Sequence, residues 1–124
     1  MRESAAPARL ALACGTAALL AGRVTEALVS LRRAVELAPA HREARFNLAV
    51  ALRTHGVRDE ALRHARAALA LDRSSPSAHV LVGSLVHLAG DVEGALHHHR
   101  QAVAVDPECP SAHYALGATL LGLD

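Results

Sequence analysis

The sequence contains no lysine, no isoleucine and no tryptophan. One phenylalanine, Phe46, and one tyrosine, Tyr114, make up its whole aromatic content. A core of stacked rings is therefore excluded, and packing must come from aliphatic and small side chains. All thirteen basic residues are arginine, a bias that fits a GC-rich coding sequence and a bacterial source. They nearly balance twelve acids, so no strong field is directed at nucleic acid or at an anionic membrane surface. Two cysteines, Cys14 and Cys109, are too few for a disulfide framework and have no CxxC partner. Unpaired thiols suit a reducing, cytoplasmic compartment. No apolar run is long enough to cross a bilayer. Nucleophile elbow, phosphate loop and HExxH spacing are also missing. The expectation is a non-enzyme with no catalytic residue, no cofactor and no metal.

What the chain does have is repetition. Residues 42–75 read REARFNLAVALRTHGVRDEALRHARAALALDRSS, and a shift of 34 residues either way finds a relative. The units are 8–41, 42–75 and 76–109, with a partial fourth over 110–124, after a loose polar lead over 1–7. One small position is filled by Gly15, Ala49, Gly83 and Gly117. A turn glycine recurs as Gly22, Gly56 and Gly90. The second half of each unit carries Ala27, Ala61 and Ala95, then Ala34, Ala68 and Ala102. A fixed period of this length marks a helical solenoid, in which each unit hides its apolar face against the next.

The punctuation predicts helices over 8–21, 25–38, 42–55, 59–71, 77–89, 92–105 and 111–123. Thr25 and Asp59 are the expected caps of the second and fourth, and Pro39 ends the second. Ser75–Pro76 and Cys109–Pro110 place proline just inside a helix start. No stretch alternates with a strand period. The apolar run before Cys14 is short and interrupted by Arg9. Cys14–Gly15 keeps register with Leu48–Ala49 and Val82–Gly83, so this segment is read as repeat and not as a leader. In the same register Cys14 is expected in a small buried slot.

These recurring glycines, alanines and exit prolines resemble the tetratricopeptide repeat family over nearly the whole chain. The bulky aromatic positions of that family are mostly filled here by Ala, Leu, Val, His or Arg. The resemblance implies an all-α, right-handed solenoid of antiparallel helix pairs, three units plus one terminal helix. It also implies a protein–protein interaction module, with the first helix of each pair lining a concave groove that holds a peptide of a partner. Carried over position by position, the groove residues are Leu12 and Thr16 in the first unit, and Phe46, Asn47, Val50 and Arg53 in the second. Val80, Ser84 and His87 follow in the third, and Tyr114 in the partial fourth. Of the family's clamp for a terminal carboxylate only Asn47 is matched, so a ligand with apolar anchors is expected instead.

Nine histidines raise the question of a metal. His97, His98 and His99 are consecutive on a helix and point about 100° apart, so they cannot share one ion. His64, His97 and His98 are expected in solvent, and His99 inside with a polar partner. His79 and His113 share a column, which reads as a repeated packing position. The apolar stretch Leu116, Leu120, Leu121 and Leu123 leaves two alternatives to a simple binding module. One is the repeat segment of a larger enzyme, such as a transferase, that docks its substrate protein. The other is a scaffold that self-associates through the exposed C-terminal helix.

Overall fold

The computed structural model describes residues 2–122, with side chains from residue 6 onward. The described residues are all-α, with seven helices and no strand. They are α1 (Arg2–Leu20), α2 (Val24–Leu37), α3 (Arg42–His55), α4 (Arg58–Leu71), α5 (Pro76–Leu88), α6 (Val92–Val105) and α7 (Pro110–Leu120). First helices start at Arg42, Pro76 and Pro110, and second helices at Val24, Arg58 and Val92, each series stepping by 34 residues. The chain divides into two compact units, Met1–Ala68 and Leu69–Asp124. In the first, α2 packs between α1 and α3. In the second, α5, α6 and α7 all touch one another.

The turn inside each pair is one motif copied three times. Gly22, Gly56 and Gly90 have φ of 79, 91 and 94°, a left-handed backbone in which a side chain would be strained. The next residue then reaches back across the turn: Arg23 N–H to Ala18 O at 2.8 Å, Val57 to Leu52 and Asp91 to Val86 at 2.9 Å. These bonds satisfy carbonyls that the helix end would otherwise leave bare. Between units the chain enters each first helix through a cap. His41 Nδ1 accepts from Ala44 N–H at 3.3 Å, and Ser75 Oγ from Ala78 N–H at 3.2 Å. Cys109 holds the third such position without a side-chain cap, and Pro110 follows it as Pro76 follows Ser75.

The recurring alanines are where the helices cross. Ala27, Ala61, Ala95, Ala68 and Ala102 are fully buried, as are Leu31, Leu48 and Leu52 in the first unit and Val82 and Leu85 in the second. Each buried Leu or Val contributes about 1.5–3 kcal/mol, which offsets the entropy of ordering its helix. The small column has a partner column on the second helix, sixteen residues further on. A Cβ on Gly15 would lie 2.6 Å from Leu31 Cγ, and one on Gly83 would lie 2.5 Å from His99 Nε2. In the middle unit Ala49 and Ala65 occupy those two columns, both fully buried. A large side chain stands opposite each of these glycines, and the middle repeat has alanine in both columns. Gly117 has nothing within 4 Å, because no helix follows α7 among the described residues to cross it.

Several expectations are corrected. The 1–7 lead is not loose from Arg2 onward: α1 begins there, because Arg, Glu and Ala are strong helix formers. Pro7 falls in its second turn, where the missing N–H costs one backbone bond. Thr25 and Asp59 lie inside α2 and α4 and do not cap them, since both helices start one residue earlier. Cys14 is exposed, and the buried member of that pair of residues is Gly15. One residue is 100° of helix, enough to carry a side chain from core to solvent. The last helix ends at Leu120, with Gly122 at φ 76° beyond it. The expected end at Leu123 lies outside the described residues.

Candidate functional site

A column of polar side chains ties each first helix to the turn before it. Arg45 Nε donates to Pro39 O at 2.8 Å. One unit on, His79 Nε2 donates to Arg73 O at 2.9 Å, and His113 Nε2 to Pro107 O at 2.6 Å. Each bond spans six residues and pins the carbonyl of the connecting turn. The next helix adds a second partner: Arg45 Nη1 donates to His64 Nδ1 at 3.2 Å, and His79 Nδ1 lies 3.3 Å from His98 Nδ1. His64 and His98 are therefore not simply solvated, as expected from sequence, but half-buried against this column. His97 is exposed. Among the described residues no three His, Cys, Asp or Glu side chains cluster as metal ligands.

His64 also faces Glu60, its Nε2 at 3.6 Å from Oε2. Glu60 in turn accepts from Arg32 of α2 through both terminal guanidinium nitrogens, Nη1 and Nη2. Arg32 lowers the Glu60 pKa, chiefly by hydrogen bonding. Burial pushes His64 below its ordinary 6.5, helped by Arg45.

In the first unit, Leu12 and Thr16 line an open recess with Arg9, Leu20, His41 and Glu43. Asn47 Nδ2 donates to Thr16 Oγ1 at 3.0 Å, which joins α3 to α1 and uses one of the amide's donors. Phe46, Val50 and Arg53 are half-buried on α3, outside the lining of that recess. In the second unit the predicted residues come together. Val80, Ser84 and His87 of α5 and Tyr114 of α7 surround one cavity of about 320 Å³. Leu88, Ala115 and Ala118 make its walls more apolar, and Ser111 stands at its edge. Tyr114 is 78% exposed, so its ring projects and is free to lie against a guest.

The cavity also includes His99 and Thr119, which sequence reasoning did not name as groove residues. For His99 a signal was present: it occupies the column of Leu31 and Ala65, and it packs against Gly83 of α5 and Thr119 of α7. It is 2% exposed and, as expected, has a polar partner, with Nδ1 at 3.0 Å from Thr119 Oγ1. Its Nε2 is buried without a hydrogen bond. Burial lowers the His99 pKa; the Val80 carbonyl opposes this and His87 adds to it.

A lowered histidine pKa means that the unfolded chain takes up protons first. Stability is thus fully present above about pH 6.5 and falls as pH drops through the depressed pKa values of His64 and His99. Glu60 acts in the same sense, but only below about 4.5. Urea midpoints measured at pH 7.5 and pH 5.5 should show the loss, and His99→Leu should reduce it. Midpoints equal at the two pH values would contradict this account.

Comparison with known proteins assigns the architecture first. The TPR domain of Arabidopsis OM64 superposes with a TM-score of 0.90 at 18% identity, covering 97% of this chain and 99% of that one. The first TPR of Spaghetti (RPAP3) bound to an HSP90 peptide gives 0.86 at 19% identity, covering 93% of this chain and 91% of that one. YrrB, a TPR protein with an unusual peptide-binding site, gives 0.82 at 30% identity, covering 87% of this chain and 56% of that one. The fold is that of an all-α helical-repeat solenoid. Family models of the tetratricopeptide repeat match residues 18–85 and 89–123. The chain belongs to the tetratricopeptide repeat family and is a protein-interaction module of that kind. No curated protein matches it. Among the described residues no helix is long and apolar enough to cross a membrane.

Proposed function

We propose that the chain is a non-catalytic module that holds a peptide segment of a partner protein. Each unit contributes its own patch. In the first these are Leu12 and Thr16 on α1 with Phe46, Asn47, Val50 and Arg53 on α3. In the second it is the cavity at Val80, Ser84, His87 and Tyr114. The observation that carries the reading is that cavity: about 320 Å³ with apolar walls, a few polar groups and a projecting tyrosine. Such a site suits one apolar side chain of a peptide. The peptide held by the RPAP3 domain and the peptide site of YrrB support the same use of the fold. Two free thiols suit a cytoplasmic setting, which is part of the same proposal.

Peptides selected from a random library on the intact chain provide the test. Val80→Arg, which fills the cavity with a charge, should weaken a selected peptide at least tenfold at unchanged helicity. Phe46→Ala with Arg53→Glu should do the same through the first unit. Unchanged affinity in both variants would overturn the assignment. A second reading, self-association through α7, is favoured by the exposure of Leu120 and Leu121, 58% and 77%. Light scattering that gives a monomer mass at every concentration would exclude it.

A further inference from the structure

The helices at the two ends of the chain each leave a face uncovered. On α5, His79, Gly83 and Val86 are buried, with His98 of α6 against the first and His99 of α6 against the second. The matching residues of α7, 34 further on, are His113, Gly117 and Leu120. Among the described residues no helix follows to cover them. His113 is exposed, a Cβ on Gly117 would meet nothing within 4 Å, and Leu120 is 58% exposed. The second helices share one pattern: an alanine four residues before the side chain in the slot-facing column and another three after it. It reads Ala27, Leu31 and Ala34 on α2, Ala61, Ala65 and Ala68 on α4, and Ala95, His99 and Ala102 on α6. The outer face of α1 repeats it as Ala6, Leu10 and Ala13, and here all three are exposed, Leu10 at 65%. Among the described residues α1 alone presents the pattern uncovered, since the alanines of α2, α4 and α6 are buried.

A polar pair favours the same partner. Arg45 and His79 each meet a histidine one residue before the slot-facing side chain, His64 before Ala65 and His98 before His99. His113 holds the third place in their column. Its Nε2 donates to the Pro107 carbonyl, which can only accept, so Nδ1 of the neutral ring is an acceptor. No described residue serves it. The residue just before Leu10 is Arg9, a donor with no partner among the described residues. Arg9 on His113 would repeat the 3.2 Å pair of Arg45 and His64, with the two residue types exchanged between the helices.

We propose that copies of this chain join head to tail: α1 of one copy seats on α7 of the next, with Leu10 over Gly117 and Arg9 against His113. In that place α1 serves as the second helix that α7 lacks. The contact deepens the reading of self-association through α7 by naming the surface that α7 takes. It uses none of the residues that line the peptide cavity of the second unit. Because the two surfaces differ, each pair keeps one free α1 and one free α7, and growth continues until a ring closes.

Sedimentation velocity of the full chain over a range of concentrations provides the test. Two variants change positions that the single chain leaves open, Leu10→Glu on α1 and Gly117→Glu on α7, so helicity should be unchanged. The mean mass of the parent should rise with concentration. Each variant alone should associate at least about tenfold more weakly. Mixed one to one they should form a dimer and nothing larger, since Leu10→Glu retains α7 and Gly117→Glu retains α1. A parent that stays monomeric up to its solubility limit would overturn the proposal, and so would a mixture no heavier than its components. Undiminished dimers of Leu10→Glu would also overturn it, while leaving an α7-to-α7 contact standing.

Discussion

Gly83→Ala is expected to destabilise the chain by about 1–3 kcal/mol, and His99→Ala in the same molecule is expected to restore much of the loss. The added methyl would sit 2.5 Å from His99 Nε2, closer than two side chains can approach, and the ring is buried and cannot swing aside. With both changes the pair becomes alanine on alanine, which is what Ala49 and Ala65 present at the same positions of the preceding unit. A double-mutant cycle read by urea denaturation should therefore show a favourable coupling of at least about 1 kcal/mol. Strict additivity would mean that the two columns do not touch as described. Gly83→Leu has no such remedy and should unfold the second unit or lower its midpoint far more than any surface change.

Leu31→Ala should cost about 3–5 kcal/mol, near the top of the range for such truncations. Leu31 is fully buried, and the surface beneath it is Gly15, which has no side chain to relax into the void. A site that cannot collapse keeps its cavity, and the penalty grows with the volume left empty. Val29, two residues away on the same helix, is 70% exposed, so Val29→Ala should stay within about 0.5 kcal/mol of the parent. Similar losses for the two substitutions would place the helix α2 face wrongly.

Helix positions were legible because the period and the punctuation agree. Gly22, Gly56 and Gly90 each sit where a left-handed residue is needed, and Pro76 and Pro110 each open a helix. The start of α1 was not legible, since Pro7 signals a boundary from sequence alone although one proline early in a helix is tolerable. Thr25 and Asp59 are good caps by type, but the fold begins those helices a residue sooner. Val80, Ser84, His87 and Tyr114, taken from first-helix positions of two neighbouring repeats, line one cavity. His99 was recognised as internal but not as part of the site, because it comes from the second helix of the pair. The contacts of Arg45 with His64 and of His79 with His98 were also missed. Each pair is nineteen residues apart, a spacing no helical periodicity marks, although its recurrence one unit later would have disclosed it.

The tie between Asn47 and Thr16, at 31 residues, is the widest side-chain bond described, and the carbonyl pins span only six. Among the side-chain bonds described, no partner has to be fetched from a distant part of the chain. Little loop entropy opposes assembly, so refolding from urea should be complete within milliseconds and should not wait for remote segments to find each other.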